Sequence, residues 1–176
     1  MYDDSAVTRK LFWEDPYRAS LTTAITAVEG NDVHLAETIF FAFAGGQESD
    51  SGTIAGRRVV DARWEPEDGS GAESEHGDHA RGPQDIVYTV EDAAGLDVGD
   101  LVEVEIDWQR RYRLMQLHFA AEIVLELCYR RFPGIERVGA HIAEEKARLD
   151  FLWPKSVASE LPALAGEARE IIVADH

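Results

Sequence analysis

Two side chains four residues apart, His118 and Glu122 in "LHFAAEIVL", carry the most explicit chemistry in this chain. On a helix that spacing stacks them about one turn apart on one face. An imidazole and a carboxylate so placed serve as two ligands of one metal, as a base and its orienting partner, or as a local contact on a partly exposed helix. A second locus is "FAFAGGQESDSG", residues 41–52, where Gly45, Gly46 and Gln47 follow an aromatic patch. Glycines let a backbone approach a ligand closely, and an amide both donates and accepts hydrogen bonds. The loop therefore reads either as a binding loop or as a plain turn. A third locus is basic: Arg110, Arg111, Arg113, Arg130, Arg131 and Arg137. Between residues 108 and 148 eight Lys/Arg stand against five Asp/Glu, in a chain whose formal charge is −17. A local basic face suits phosphate contact whatever the total charge, and a solvated, salt-bridged helix would have the same composition.

The elements that must position these groups follow from the pattern. Residues 20–107 read as short strands: "SLTTAITAV", "DVHLAETIFFAF", "RRVVDARW", "DIVYTVE" and "LVEVEIDW" are β-branched or alternating, with glycine-bearing turns between them. Five or more strands at that spacing predict a small antiparallel barrel. The acidic, Gly/Ser-rich segment 65–83 interrupts them and reads as a mobile hairpin insertion whose His76 and His79 are incidental. At Asp107 the pattern switches from period two to helical spacing. Leu114, Leu117, Ala121, Val124, Leu125 and Cys128 form one apolar stripe, Asp107 is the N-cap, and Pro133-Gly134 ends the helix. "RVGAHIAEEKARLDF" then predicts a strand pair, "KSVASELPALAGEARE" a helix broken near Pro162, and "IIVA" a last strand. The fold class expected is α+β: an antiparallel β-barrel-like domain over 1–107, then an α+β domain over 108–176 built on one long helix.

At 176 residues the chain can bury a sizeable core. No segment approaches a membrane span, the acidic N-terminus does not read as a secretory signal, and a single cysteine fits a reducing cytoplasm.

Four stretches, "LFWEDPY", "TIFFAFAGGQESDSGTI", "DWQRRYRLMQLHFAAEIVLEL" and "VGAHIAEEKARLDF", occur in the order and spacing of alanyl-tRNA editing proteins, the free-standing relatives of the alanyl-tRNA synthetase editing domain. The resemblance covers essentially the whole chain apart from the acidic insertion. It implies a glycine-rich β-barrel domain with an α+β editing domain. It also implies a zinc-dependent deacylase that hydrolyses tRNA(Ala) mischarged with serine, and sometimes with glycine. "AGGQ" resembles the family's Gly-Gly-Gly-Gln loop at the editing pocket. By that resemblance Gly45, Gly46 and Gln47 meet the acylated end of the tRNA, His118 and Glu122 are zinc ligands, and His118 and Gln47 carry the catalysis. Arg110, Arg111 and Arg113 are the expected phosphate contacts.

Three departures bear on that implication. Ala44 stands where the family has its first glycine. The family's His-x-x-x-His motif is here His118-Phe-Ala-Ala-Glu122, with Phe119 where threonine is common. The downstream Cys-x-x-x-His motif is absent from this chain, Cys128 reads as a core residue, and His141, His176 or a neighbouring copy are the remaining sources of a third donor. The editing domain is therefore expected to be incomplete and zinc to be held weakly or not at all, with dimerisation as one consequence. The alternative to an aminoacyl-tRNA hydrolase is a non-catalytic, metal-free relative that binds tRNA or protein.

Overall fold

A computed structural model describes residues 7–65 and 85–174. The described residues group into two compact units: Met1–Gly45 with Ser49–Arg111, and Gly46–Glu48 with Tyr112–His176. Of the expected mobile insertion, residues 66–83, with His76 and His79, lie outside the described residues, as does His176; Glu65 is described.

In the first unit a short strand β1 (Arg9–Lys10) leads into a 3-10 turn (Leu11–Trp13) and then β2 (Ser20–Glu29) and β3 (Asp32–Leu35). After β4 (Glu37–Thr38), which pairs in parallel with β1, come β5 (Gly52–Ile54), β6 (Arg57–Trp64), β7 (Ile86–Val90) and β8 (Leu101–Ile106). Six of these close a barrel in the order β2-β3-β7-β6-β5-β8, every pairing antiparallel. Period-two alternation is the cause: on β8, Val102, Val104 and Ile106 are buried while Leu101, Glu103 and Glu105 face out. Closure removes the free edges that an open sheet would expose. Tyr88 on β7 is fully buried, its hydroxyl donating to the Phe40 carbonyl at 3.0 Å and accepting from the Thr38 hydroxyl at 2.8 Å. A polar group in the barrel core is thereby satisfied.

The long helix α1 (Trp108–Arg131) starts as the sequence predicts: the Asp107 carboxylate accepts from the Arg110 amide at 3.2 Å. It ends before Pro133 and Gly134, the latter at φ +88°. Leu114, Ala121, Leu125 and Cys128 are buried, so the apolar stripe is the packed face. In the second unit β9 (Glu136–Ile142) and β10 (Ala147–Leu152) form the expected strand pair, which is antiparallel with an irregularity at Asp150/Phe151. Two apolar clusters hold this unit together. One joins Leu127, Cys128 and Phe132 to Ile135, Leu164 and Ala168; the other joins Leu114 and Ala121 to Ile142.

The C-terminal expectation needs correction. Residues 155–160 are not helical, and "IIVA" is not a strand; one helix, α2, runs Leu161–Ala174. Pro162 starts this helix rather than breaking it, because a first-turn residue has no intrahelical use for an amide proton. Leu164 and Ala168, four apart, anchor it in the core. Four β-branched-rich residues then continue a helix that is already propagating, where each added residue gains a hydrogen bond.

Candidate functional site

The "AGGQ" loop is built around two left-handed residues, Gly45 at φ +60° and Gly46 at φ +84°. Gly46 also has a steric reason to lack a side chain: a Cβ there would lie 2.2 Å from the Ala140 carbonyl oxygen of β9. That proximity lets the loop join the edge of β9 like a third strand. The Ile142 amide donates to the Gly46 carbonyl at 2.8 Å, and the Glu48 amide donates to the Ile142 carbonyl at 3.0 Å. Gln47 between them forms a parallel bridge with Ile142. Ala44 is not among the left-handed positions, so the first glycine of the family pattern is dispensable here for conformation.

The pinned loop aims its amide at α1. Gln47 is 8% exposed, and its Oε1 lies 2.6 Å from His118 Nδ1. With Oε1 accepting, Nδ1 carries the proton and Nε2 presents its lone pair. That lone pair is on the side of Glu122, whose Oε1 is 3.8 Å from Nε2. The separation is too long for a hydrogen bond and close to the roughly 3.4 Å expected between two ligands of a tetrahedral ion with ~2.1 Å bonds. About half of each side chain remains exposed. The structure thus gathers Gly46, Gln47, His118 and Glu122.

A second His–Glu pair adjoins the loop. His141 Nε2 on β9 lies 3.3 Å from Glu48 Oε1, so His141 is engaged with Glu48. Among the described residues no third His, Cys, Asp or Glu completes a three-donor group with His118 and Glu122. Glu48 has no role in the sequence-based site. Its one sequence signal was a carboxylate directly after Gln47, in the loop already singled out.

Asp50, two residues on, corrects an expected phosphate contact. Arg111 is buried, ion-paired to Asp50 through both Nε and a terminal nitrogen, and it donates to the carbonyls of Pro16 and Ile39. It cannot also meet a phosphate, because leaving would strand a buried carboxylate. Much of the basic run is likewise absorbed: Arg130 pairs with Glu126, Arg131 with Glu160 and Glu167, and Arg148 with Asp150. Arg110 reaches the Ser49 carbonyl, and Arg113 and Arg137 are exposed with no ion pair among the described residues. Cys128 sits in the apolar core, where burial pushes its thiol up, as a small core residue would.

No family model matches the chain. Curated relatives do. It is 33% identical over 172 residues to the alanyl-tRNA editing protein AlaX-M of Saccharolobus solfataricus, an alignment covering 96% of this chain and 66% of that protein. It is 31% identical over 154 residues to AlaX-M of Pyrococcus horikoshii, covering 86% of this chain and 63% of that one. The alanine–tRNA ligase of Methanococcus aeolicus is 27% identical over 159 residues, 90% of this chain and 16% of the ligase. The chain thus spans slightly less than two thirds of each editing protein.

Proposed function

The chain belongs to the alanyl-tRNA editing protein family, and from that premise we propose that it is an aminoacyl-tRNA deacylase that hydrolyses the ester of tRNA(Ala) mischarged with serine. The observation that carries the reading is the 2.6 Å contact between a buried loop amide and His118, which fixes one face of the imidazole and leaves the other open. In this reading Nε2, beside the Glu122 carboxylate, accepts a proton from a water as the water oxygen attacks the ester carbonyl carbon. The bond to the ribose oxygen then breaks and that oxygen takes the proton. The free amide hydrogens of Gln47 donate to the acyl end and orient it. Arg113, with Arg110 beside it on α1, is the proposed contact to the tRNA backbone, a salt-sensitive interaction.

His118 and Glu122 are also the residues that would hold zinc; a bound ion would take the same Nε2 lone pair, so Lewis-acid polarisation of the ester or activation of a water would then replace the base role of His118. They fill two positions, whereas catalytic sites usually take three protein ligands. We therefore propose weak zinc binding by this chain. The same donor count favours one alternative, a metal-free relative that binds tRNA without cleaving it. Hydrolysis of seryl-tRNA(Ala), glycyl-tRNA(Ala) and alanyl-tRNA(Ala) by the purified chain separates the two. The proposal expects seryl ester to be cleared fastest and alanyl ester to be spared. Tight binding of all three with no hydrolysis, zinc added or not, would establish the alternative. No helix among the described residues is long and apolar enough to cross a membrane; the tRNA partner is what the proposed cytoplasmic setting rests on.

A further inference from the structure

A second group of ligand-type side chains lies in the barrel, built entirely from first-unit residues. His34 is on β3, Glu65 directly follows β6, and Asp85 directly precedes β7. One ligand atom from each lies within 4.8 Å of the others. The strands themselves place them: β3 pairs with β7 and β7 with β6, Trp64 is opposite Ile86, and the Glu65 amide donates to the Asp85 carbonyl at 3.0 Å. Two of the three side chains are largely buried, with side-chain exposures of 13% for His34 and 14% for Asp85, and Asp85 Oδ2 is 3.1 Å from His34 Nδ1. The other carboxylate oxygen, Oδ1, accepts from the Thr8 amide at 3.2 Å, from the Thr8 hydroxyl, and from the Ile86 amide at 2.8 Å. Asp85 is thus held in one orientation with Oδ2 turned to the imidazole. Glu65 is the exposed, adjustable member.

We propose that His34, Glu65 and Asp85 form a site for a borderline divalent transition ion, with Zn2+, Co2+ and Ni2+ as the class, that ties β3, β6 and β7 together. One imidazole nitrogen with two carboxylate oxygens is a donor set for these ions; Mg2+ and Ca2+ prefer all-oxygen shells. Three protein donors suffice for a site whose remaining positions are filled by water. The His34–Asp85 pair, at 3.1 Å, is already near the roughly 3.4 Å between ligands of a tetrahedral shell, and the exposed Glu65 lies within 4.8 Å of both. The site differs from the His118–Glu122 pair in its unit, its residues and its role, since its effect is to fasten the barrel.

A proton is the ion's competitor. Nδ1 shares one with Asp85 in the structure described, so metal uptake releases it and affinity rises with pH. The charged groups facing the site from the neighbouring elements are Lys10 of β1, which acts on Asp85, and Glu29 of β2 and Asp32 of β3, which act on His34. Two of these three are carboxylates and favour a cation; Lys10 opposes it.

The test uses the full chain in a background with His76, His79, His118, His141 and His176 each replaced by alanine, which leaves His34 as the one histidine. Zn2+ and Co2+ are titrated by calorimetry and by the visible absorption of bound Co2+, with Mg2+ as the control. One equivalent should bind, raise the melting temperature, and bind more tightly at pH 8 than at pH 6. Glu65→Gln, an exposed and isosteric change, should weaken it at least tenfold, and His34→Gln should abolish the Co2+ spectrum. Unchanged affinity in Glu65→Gln and His34→Gln, or no binding at all in the background chain, overturns the proposal.

Discussion

Replacing Gly46 by alanine tests the loop that positions the proposed site. Alanine at φ +84° costs about 1–2 kcal/mol in backbone conformation alone. Its Cβ would also sit 2.2 Å from the Ala140 oxygen and 2.9 Å from the Ala140 carbonyl carbon, both of them backbone atoms of a paired strand. The loop must therefore lift off β9. Doing so gives up the Ile142–Gly46 and Glu48–Ile142 hydrogen bonds, at about 1 kcal/mol each. The sum is about 3–4 kcal/mol, capped at the free energy of docking the loop if it simply lets go. Gly45 is the matched control, since it has φ +60° with nothing within 4 Å of a built Cβ, so Gly45→Ala should cost only about 1–2 kcal/mol. Urea denaturation gives the stabilities, and amide hydrogen exchange at Glu48 and Ile142 gives the docking. The expected result is loss of protection at both amides in Gly46→Ala alone, with a fall in deacylation because Gln47 no longer meets His118. Equal stability of the two variants, with both amides still protected, would refute the reasoning.

Three further outcomes follow from named contacts. Arg111→Met should destabilise the chain by about 3–5 kcal/mol in urea, because it leaves Asp50 buried without its cation. Arg113→Glu should change stability by less than about 0.5 kcal/mol, yet weaken tRNA binding and lower its log–log salt slope by about one unit. The His34–Asp85 pair should give pH-dependent stability in the presence of chelator. Hydrogen bonding to Asp85 raises the His34 imidazole above its ordinary 6.5. Burial pushes the Asp85 carboxyl up, but His34, Thr8 and Ile86 together hold it below its ordinary 3.8. The histidine's contribution is full below 6.5 and is lost as pH rises through its raised value. The aspartate's is full above 3.8 and is lost as pH falls through its lowered one. Thermal melts should therefore show Asp85→Asn costing more at pH 5.5 than at pH 8.5, and equal costs would contradict the assignment.

The barrel and the long helix were legible because both rest on local periodicity: alternation on β8, a heptad-like stripe from Leu114 to Cys128, and an N-cap at Asp107. The "IIVA" end was not, because β-branched propensity is weak beside a helix already under way from Pro162. His118 and Glu122 were legible as a pair from spacing alone. Their link to Gln47 was not, since it depends on a loop docking across 71 residues of sequence. Charge counting misled at Arg111: its role is set by Asp50, 61 residues away, which no local pattern connects to it. The His34–Glu65–Asp85 group was invisible for the same reason, because only barrel closure brings β3 beside the ends of β6 and β7.

His118, held by Gln47, is the group proposed to carry the deacylation. The most direct measurement is the single-turnover rate of seryl-tRNA(Ala) hydrolysis by the wild-type chain, Gln47→Ala and His118→Ala, with and without added zinc, and with metal content read on the same samples. The account predicts slow turnover in the wild type that zinc in excess accelerates. It predicts a loss of about 10–100-fold in Gln47→Ala, and a loss of about 100-fold or more in His118→Ala that zinc does not restore. Hydrolysis by His118→Ala at the wild-type rate would contradict it.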